Sequence, residues 1–325
     1  MIEPLKIGIC NNQSDARQIT ANMSRVAIGA DDSLRSFEVD TLAILLSFTA
    51  PSFTTIFMGD VMITDYLEST FPLLRKSDSE SRRFGRSVYR LTVPENCNWS
   101  DTEIITLATS VSADLLIVRA PATRNRLGGA LGSHPHLRTL HADSLLYFSR
   151  SSIKENADLD LPADLSLAID SPLDEGLTRL IHATFSNYQN HYSANPTLPK
   201  DAVEHGYAEW ANMIVSSETG VLLTLSNDGQ PVAFIVVNIF ATSANEVQAE
   251  ISLNGTHPAF RNRGLYRELL LVSLAEVARR GAIRLWISTQ ASHRVMIRTW
   301  EKLGFGFELG LNTYHCSPIG EISSR

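Results

Sequence analysis

No stretch limits the fold of this chain more than residues 247–281. VQAEISLNG (247–255) alternates apolar and polar residues like a half-buried strand, and YRELLLVSLAEVARRG (266–281) has the apolar spacing of a helix that stops on cations and a glycine. Between them, THPAFRNRG sets a proline, two arginines and a glycine directly before the helix. The amides of Asn262, Arg263, Gly264 and Leu265 can then point into one concavity at a helix N-terminus, a place that binds phosphate. Gly264 lets the backbone come close, while Arg261 and Arg263 add charge for a diphosphate. A basic surface loop before a helix would use the same residues, so the surrounding topology has to decide.

That topology is readable. LSLAID (165–170) reads as a strand, LDEGLTRLIHATF (173–185) as a helix, and KDAVEHGYAEWANMIVSS (200–217) as a second helix with Val203, Tyr207, Trp210, Ala211 and Ile214 on one stripe. GVLLTLS (220–226) and PVAFIVVNIF (231–240) are strands flanking a turn at residues 227–230. Beyond the opening strand and helix come a buried strand, RLWISTQ (284–290), a helix, RVMIRTWEKLG (294–304), and a final extended pair in FGFELGLNTYHC (305–316).

The first half carries a weak internal echo. LRSFEVDTLAILLS (34–47) aligns without gaps on LRTLHADSLLYFSR (137–150), and both follow a strand and a short helix: LKIGIC and DARQITANM in one copy, LLIVRA and RNRLGGAL in the other. A duplication and a coincidence are both compatible with so short a match. RKSDSESRRFGR (75–86) reads as an exposed linker and SVYRLTV (87–93) as a strand. TLAILLSFTAPSFTTIFMG (41–59) is uncharged and nearly long enough to span a bilayer, but Pro51 in its middle and its Ser, Thr, Phe and Ile content fit two buried strands around a turn better. The polar run SSIKENADLDLPAD (151–164) marks a boundary, so two domains are expected, at 1–155 and 160–320.

A formal net charge of -7 gives no general attraction to nucleic acid or to an anionic membrane, and neither partner is expected. Cys10, Cys97 and Cys316 are odd in number and far apart, and the N-terminus lacks a secretory pattern, so a reduced, cytoplasmic protein is expected. His134, His136 and His141 lack the carboxylate or cysteine spacing of a metal site and read as loop histidines; no metal is expected.

The combined order of strand, two helices, three antiparallel strands, phosphate loop on a helix, strand, helix and closing strands resembles the GNAT superfamily of N-acetyltransferases. The loop here is Arg261-Asn262-Arg263-Gly264-Leu265-Tyr266, preceded by His257-Pro258 and followed downstream by Leu303-Gly304-Phe305. The resemblance covers roughly residues 165–316. It implies an α/β (α+β) fold with a mixed, mostly antiparallel sheet flanked by helices, residues 1–155 forming a degenerate GNAT-like domain with the duplication inside it. It further implies acetyl-coenzyme A, or another acyl-coenzyme A, held by residues 261–266 and His293, with the pantetheine along Leu253 to Gly255 in a splay between strands 247–255 and 284–290. A small-molecule amine is the implied acceptor. Glu250 and His257 are the titratable residues nearest the reaction and so the implied catalytic pair, while backbone amides near Leu253 and Gly255 meet the oxyanion.

A looser similarity is to the sugar amine acetyltransferases that act on TDP-fucosamine. RRFGRSVYRLTV (82–93) is similar to the opening of their first domain, and NHYSANP (190–196) followed by YAEW (207–210) to their substrate loop and second helix. That similarity places Tyr188, His191, Tyr192 and Asn195 against the acceptor. Two residues depart from the pattern. Tyr266 replaces a small residue in the loop, and Trp300 stands where these enzymes present a tyrosine acid, so Trp300 is expected to pack on substrate rather than move a proton. The same residues are compatible with a protein that binds acyl-coenzyme A as a sensor without turning it over, and the oligomeric state is left open, a homodimer included.

Overall fold

The computed structural model describes residues 62–151, 164–186 and 188–319. All of them fall within one compact unit, 57–325. The apolar stretch 41–59, the first copy of the echo at 34–47 and most of the expected junction at 151–164 lie outside the described residues.

The first half runs α1 (Ile63–Leu67), β1 (Leu73–Lys76), α2 (Asp78–Phe84), β2 (Val88–Thr92), α3 (Asp101–Thr109), β3 (Leu115–Pro121), α4 (Asn125–Gly132) and β4 (Leu137–Ser151). The second half continues with β5 (Leu165–Ile169), α5 (Glu175–Phe185), α6 (Lys200–Val215), β6 (Gly220–Asn227), β7 (Gln230–Ala241), β8 (Val247–Thr256), α7 (Leu265–Arg279), β9 (Arg284–Gln290), α8 (Arg294–Lys302) and β10 (Gly306–Pro318). Asp228 and Gly229, both at positive φ, close the β6–β7 hairpin in two residues, which is what an Asp-Gly pair between apolar strands encodes.

One sheet takes all ten strands, in the order β1-β2-β3-β10-β4-β9-β8-β7-β6-β5. Only β2–β3 and β8–β9 are parallel; the other neighbours are antiparallel. The two halves therefore repeat one unit, a parallel strand pair bridged by a helix, then a second helix and a long strand: β2–α3–β3–α4–β4 and β8–α7–β9–α8–β10. Each long strand crosses into the other half. Strand β10 lies between β3 and β4, and β4 lies between β9 and β10. The boundary expected near 155–160 does not divide this sheet.

The crossing corrects one expectation. Residues 305–316 form not an extended pair but part of a single strand, because β3 and β4 of the first half flank it on both sides and no turn back is needed. The reading of 75–86 as a linker is corrected too. Its centre is helix α2, which buries Phe84 against Val88, Leu115 and Ile117, keeps Glu80 2% exposed, and stops where Gly85 turns left-handed at φ 62°.

Side-chain alternation gives the sheet two covered faces. On one, Leu265, Leu269, Leu270, Val272 and Val277 of α7 pack with Trp300 of α8 over Val221, Ile235, Ile251 and Ile287. On the other, Leu177, Leu180, Ile181, Ala211 and Ile214 of α5 and α6 cover Leu222, Phe234, Val236 and Leu253. Each fully buried leucine or isoleucine contributes on the order of 2 kcal/mol, so these layers fix the frame on which the site is mounted.

Candidate active site

The two halves share a cavity of about 1230 Å³. Its position follows from a defect in the sheet. Strands β8 and β9 pair only from Gln248↔Arg284 to Ile251↔Ile287, and the β7–β8 register shifts at that point, Val236 facing Leu253 and Val237 facing Ile251. Ser252 is thus an extra residue, a bulge, and bulges bend and twist the strand that carries them. Strand β8 leaves β9 there, and β9 goes on to pair with β4 as far as Gln290. The splay expected from the sequence is present, with Leu253, Asn254 and Gly255 lining it. Gly255 answers to packing as well: an added Cβ would come within 2.3 Å of the Thr184 methyl.

After β8 the chain makes a short 3-10 turn, Pro258–Phe260, and reaches α7 through Arg261, Asn262, Arg263 and Gly264, all exposed. Asn262 and Gly264 stand at φ 62° and 80°, and Gly264 is the N-cap of α7 with open space around it. Alternating left-handed residues before a helix turn successive amides to one side, and the first amides of a helix have no partner within it. The arginines differ in their roles. Arg261 donates to the carbonyl of Thr256 at 3.2 Å and so holds the turn, whereas Arg263 stacks its guanidinium 4.8 Å from the centre of the Phe260 ring.

Of the expected catalytic pair, Glu250 lies on the cavity wall, 8% exposed, and its Oε2 accepts the amide of Ile63 at 3.1 Å. His257 does not join it. The chain has already turned outward, and His257 Nδ1 accepts the amide of Ala259 as a cap on the 3-10 turn, away from the cavity lining.

Tyr266 and Trp300 both touch the cavity, yet they belong mainly to its floor. Trp300 is 1% exposed, packs edge-on against Phe148, and donates its indole N–H to the Tyr266 hydroxyl at 2.8 Å. The expected packing of Trp300 on substrate is reduced to that glancing contact. Burial pushes the Tyr266 phenol up, so it keeps its proton, and because it accepts from the indole that proton remains to be given.

Across the cavity, the loop after α5 brings together the remaining residues. Tyr188 donates to Gln290 Oε1 at 2.5 Å and stands near His293, which also meets Thr289 Oγ1 at 2.9 Å. Burial pushes the Tyr188 phenol up to about 12. Asn195 is buried, and behind the wall instead of on it. Its Oδ1 accepts the amide and hydroxyl of Thr197, which fixes the side-chain amide, so its Nδ2 donates to His315 Nδ1 at 3.0 Å. His315 must then carry its proton on Nε2 and donate it to His191 Nδ1, 2.9 Å away. His191 is left with Nε2–H, a donor. Burial, with Arg119, His315 and Arg90 close by, holds His191 well below the usual histidine range, and His315 is lowered to about 4, chiefly by burial.

Sequence reasoning missed Glu80, Arg90, Arg119 and His315. Arg90 chelates Glu80 through Nε and Nη2 at 2.6 and 2.9 Å, and the Tyr192 hydroxyl joins both. Burial raises the Glu80 carboxyl, but the charge and hydrogen bonds of Arg90, with Tyr192 and Ser77, outweigh it and hold it at about 2. The readable signal was a lone arginine or histidine inside an apolar strand, as in SVYRLTV, LLIVRA and LNTYHC. Among the described residues no cluster of three or more His, Cys, Asp or Glu could hold a metal, and no helix is long and apolar enough to cross a membrane.

A helix entrance lined by free amides, beside a splayed parallel strand pair and opening on a second polar chamber, is the arrangement of a GNAT-type acetyltransferase domain. Residues 182–305 match the acetyltransferase (GNAT) family, whose members generally acylate an amine from acetyl-coenzyme A. A search of curated protein sequences found no match. Similar solved structures include a GNAT-family acetyltransferase from Novosphingobium aromaticivorans, at 18% identity over 71% of this chain and 84% of that one with a TM-score of 0.42. A GCN5-related N-acetyltransferase from Sphaerobacter thermophilus is similar at 14% identity over 72% and 74%, TM-score 0.44. A tandem GNAT protein from the clavulanic acid biosynthesis pathway is similar at 14% over 72% and 76%, TM-score 0.47.

Proposed function

We propose that this chain moves an acetyl group from acetyl-coenzyme A to the amine of a small molecule, an amino sugar nucleotide being the first acceptor class and another small metabolite or an antibiotic the second. The observation that carries this reading is the continuity of one cavity from the phosphate loop, through the splay, to a polar chamber walled by the other half. Ligand sites commonly enclose roughly 300–1,000 Å³, and about 1230 Å³ leaves room for the coenzyme arm and an acceptor together.

The residues fit the coenzyme. Open space over Gly264, the left-handed Asn262 and the exposed Arg263 accept a diphosphate, with Leu265 and Tyr266 opening the helix behind them. The edge of β8 at Leu253, Asn254 and Gly255, unpaired on its β9 side, offers backbone groups to an extended amide arm, and His293 stands at the far wall. The coenzyme, when bound, supplies the acetyl thioester. Glu250, whose Oε2 accepts the Ile63 amide, takes the proton from the attacking amine. Amides of the β8 edge donate to the developing oxyanion. Indole cannot protonate sulfur as a phenol does, so the Tyr266 hydroxyl, fixed by Trp300, gives its proton as the C–S bond breaks and the C–N bond forms.

His257 has no part in this scheme. His191, Tyr188 and Tyr192 face the acceptor, Tyr192 held there by Glu80 and Arg90, and Asn195 positions that wall from behind through His315. The test is release of free thiol from acetyl-coenzyme A across a panel of amines. Amine-dependent release supports the reading; tight coenzyme binding with no release for any amine favours the sensor.

A further inference from the structure

The acceptor chamber contains a guanidinium that the scheme above does not use. Arg119 lines the cavity from β3, and its register partners across the sheet are Thr92, Thr313 and, beyond Thr313, Asp143. Its Nε donates to Thr313 Oγ1 at 3.1 Å, and the buried Tyr66 hydroxyl lies beside it. Among the described residues no carboxylate comes within ion-pair distance of Arg119. Asp143 is held off by Thr313 between them, and its own oxygens are buried without a partner. An arginine that serves the fold at such a depth is paired, as Arg90 is with Glu80. Among the described residues this one is paired with no carboxylate, and it opens on a chamber.

Charge around the chamber points the same way. The chain as a whole has a net charge of -7, yet the cavity is lined by nine arginines and lysines against four carboxylates. Three of those cations, Arg261, Arg267 and Arg294, stand beside the helix entrance and α8; the other six come from the first half, where Arg75, Lys76, Arg82, Arg83 and Arg90 are each ion-paired and Arg119 stands apart from them. His191, neutral and presenting Nε2–H, adds a donor on the wall close to Arg119. Guanidinium plus N–H is the donor set that oxyanions take in two-point contact.

We propose that Arg119 and His191 form an anion subsite, so that the acceptor is an amine that also bears a phosphate or a carboxylate, its amine toward Glu250 and its oxyanion on Arg119. Tyr147, also on the lining, is close enough to feel both charges. The subsite rests on the acetyl-transfer reading and narrows it: neutral amines are poor acceptors, and a molecule whose only charge is the amine lacks half of its contacts.

Three acceptors separate the possibilities: glucosamine, its 1-phosphate, and glucosaminic acid, which carry no anion, a phosphate and a carboxylate. The subsite predicts kcat/KM at least about tenfold higher for one or both of the anionic amines. Arg119→Met, which keeps the stem and removes the charge, collapses that ratio toward one, and Arg119→Lys restores part of it. Inorganic phosphate inhibits the wild-type chain competitively against the anionic acceptor and not against acetyl-coenzyme A, a readout that does not depend on any variant folding. Which anionic amine is preferred tells phosphate from carboxylate. Equal kcat/KM for all three in the wild type, or an Arg119→Met ratio unchanged from wild type, overturns the subsite while leaving acetyl transfer standing; no thiol release with any of the three overturns acetyl transfer itself.

Discussion

The indole N–H of Trp300 donates to the hydroxyl of Tyr266 at 2.8 Å, joining α8 to the first turn of α7 beneath the cavity. These are the two positions at which the chain departs from the pattern it resembles, and the bond makes them a single substitution in physical terms. A tyrosine at 300 would present its hydroxyl on its own. With tryptophan there, a phenol reaches the same neighbourhood from the other helix.

The pair is therefore expected to couple. Trp300→Phe leaves the buried Tyr266 oxygen without its donor and costs about 1–3 kcal/mol of stability, whereas Tyr266→Phe orphans the indole N–H at similar cost. The double replacement loses less than the sum, which thermal unfolding of the four proteins measures. Acyl transfer falls at least about tenfold with Tyr266→Phe, and a Trp300→Tyr, Tyr266→Phe double variant recovers part of it. Full activity of Tyr266→Phe at every pH would remove Tyr266 as the proton donor.

Coenzyme affinity resides in the loop. Arg263→Ala removes a charge that does little for the fold and should weaken coenzyme binding about tenfold with unfolding unchanged, since charge-assisted bonds contribute roughly 1.5–3 kcal/mol. Arg261→Ala weakens binding too, and also loosens the turn it holds at Thr256. Gly264→Ala meets no clash but forces a side chain to φ 80°, costing about 1–2 kcal/mol. Calorimetric titration with coenzyme A beside thermal unfolding separates the three; equal affinity in all would move the site elsewhere.

Two pH windows belong to the buried polar layer. His315 is lowered to about 4 from 6.5, so between those values the unfolded chain binds protons that the folded one refuses, and stability falls as pH drops from about 6.5 to 4. Glu80 is held at about 2 against 4.5, so its contribution, roughly 3 kcal/mol, is present above about pH 4.5 and is lost as pH falls toward 2. His191, also lowered, shares the upper window, so His315→Gln should make it shallower without abolishing it, while Glu80→Gln should flatten the lower, each read from unfolding temperature against pH.

His191→Ala should raise the acceptor KM several-fold while leaving coenzyme affinity unchanged, because the side chain lines the cavity from the loop after α5 and not from the 261–266 entrance. Asn195→Leu should act in the same direction through His315, which would lose the donor that sets its tautomer. Coenzyme affinity that falls in parallel would mean the wall has collapsed.

Much of this was legible in local pattern. The loop 261–266, the Asp-Gly hairpin and the alternation of β8 are short-range features, and the helices α5 to α8 follow from apolar spacing. What escaped depends on partners distant in sequence. Strand β10 gives no sign that β3 and β4 will flank it, and α2 has one large apolar residue, Phe84, to announce it. Glu80 looks like a surface charge until Arg90, the arginine inside an apolar strand, is seen to neutralise it. His257 was read as a titratable residue near the reaction and Trp300 by analogy of position; the capped turn at one and the core hydrogen bond at the other depend on neighbours that no local pattern announces.

Acetyl transfer itself is settled by incubating the full chain with acetyl-coenzyme A and an amine panel, following free thiol and the acetylated product together by mass spectrometry. Thiol release that depends on the amine, matches the N-acetyl product mole for mole, and falls at least about tenfold with Glu250→Gln at unchanged coenzyme affinity is the predicted result. Coenzyme binding with no amine-dependent thiol, or product formed equally well by Glu250→Gln, would contradict it.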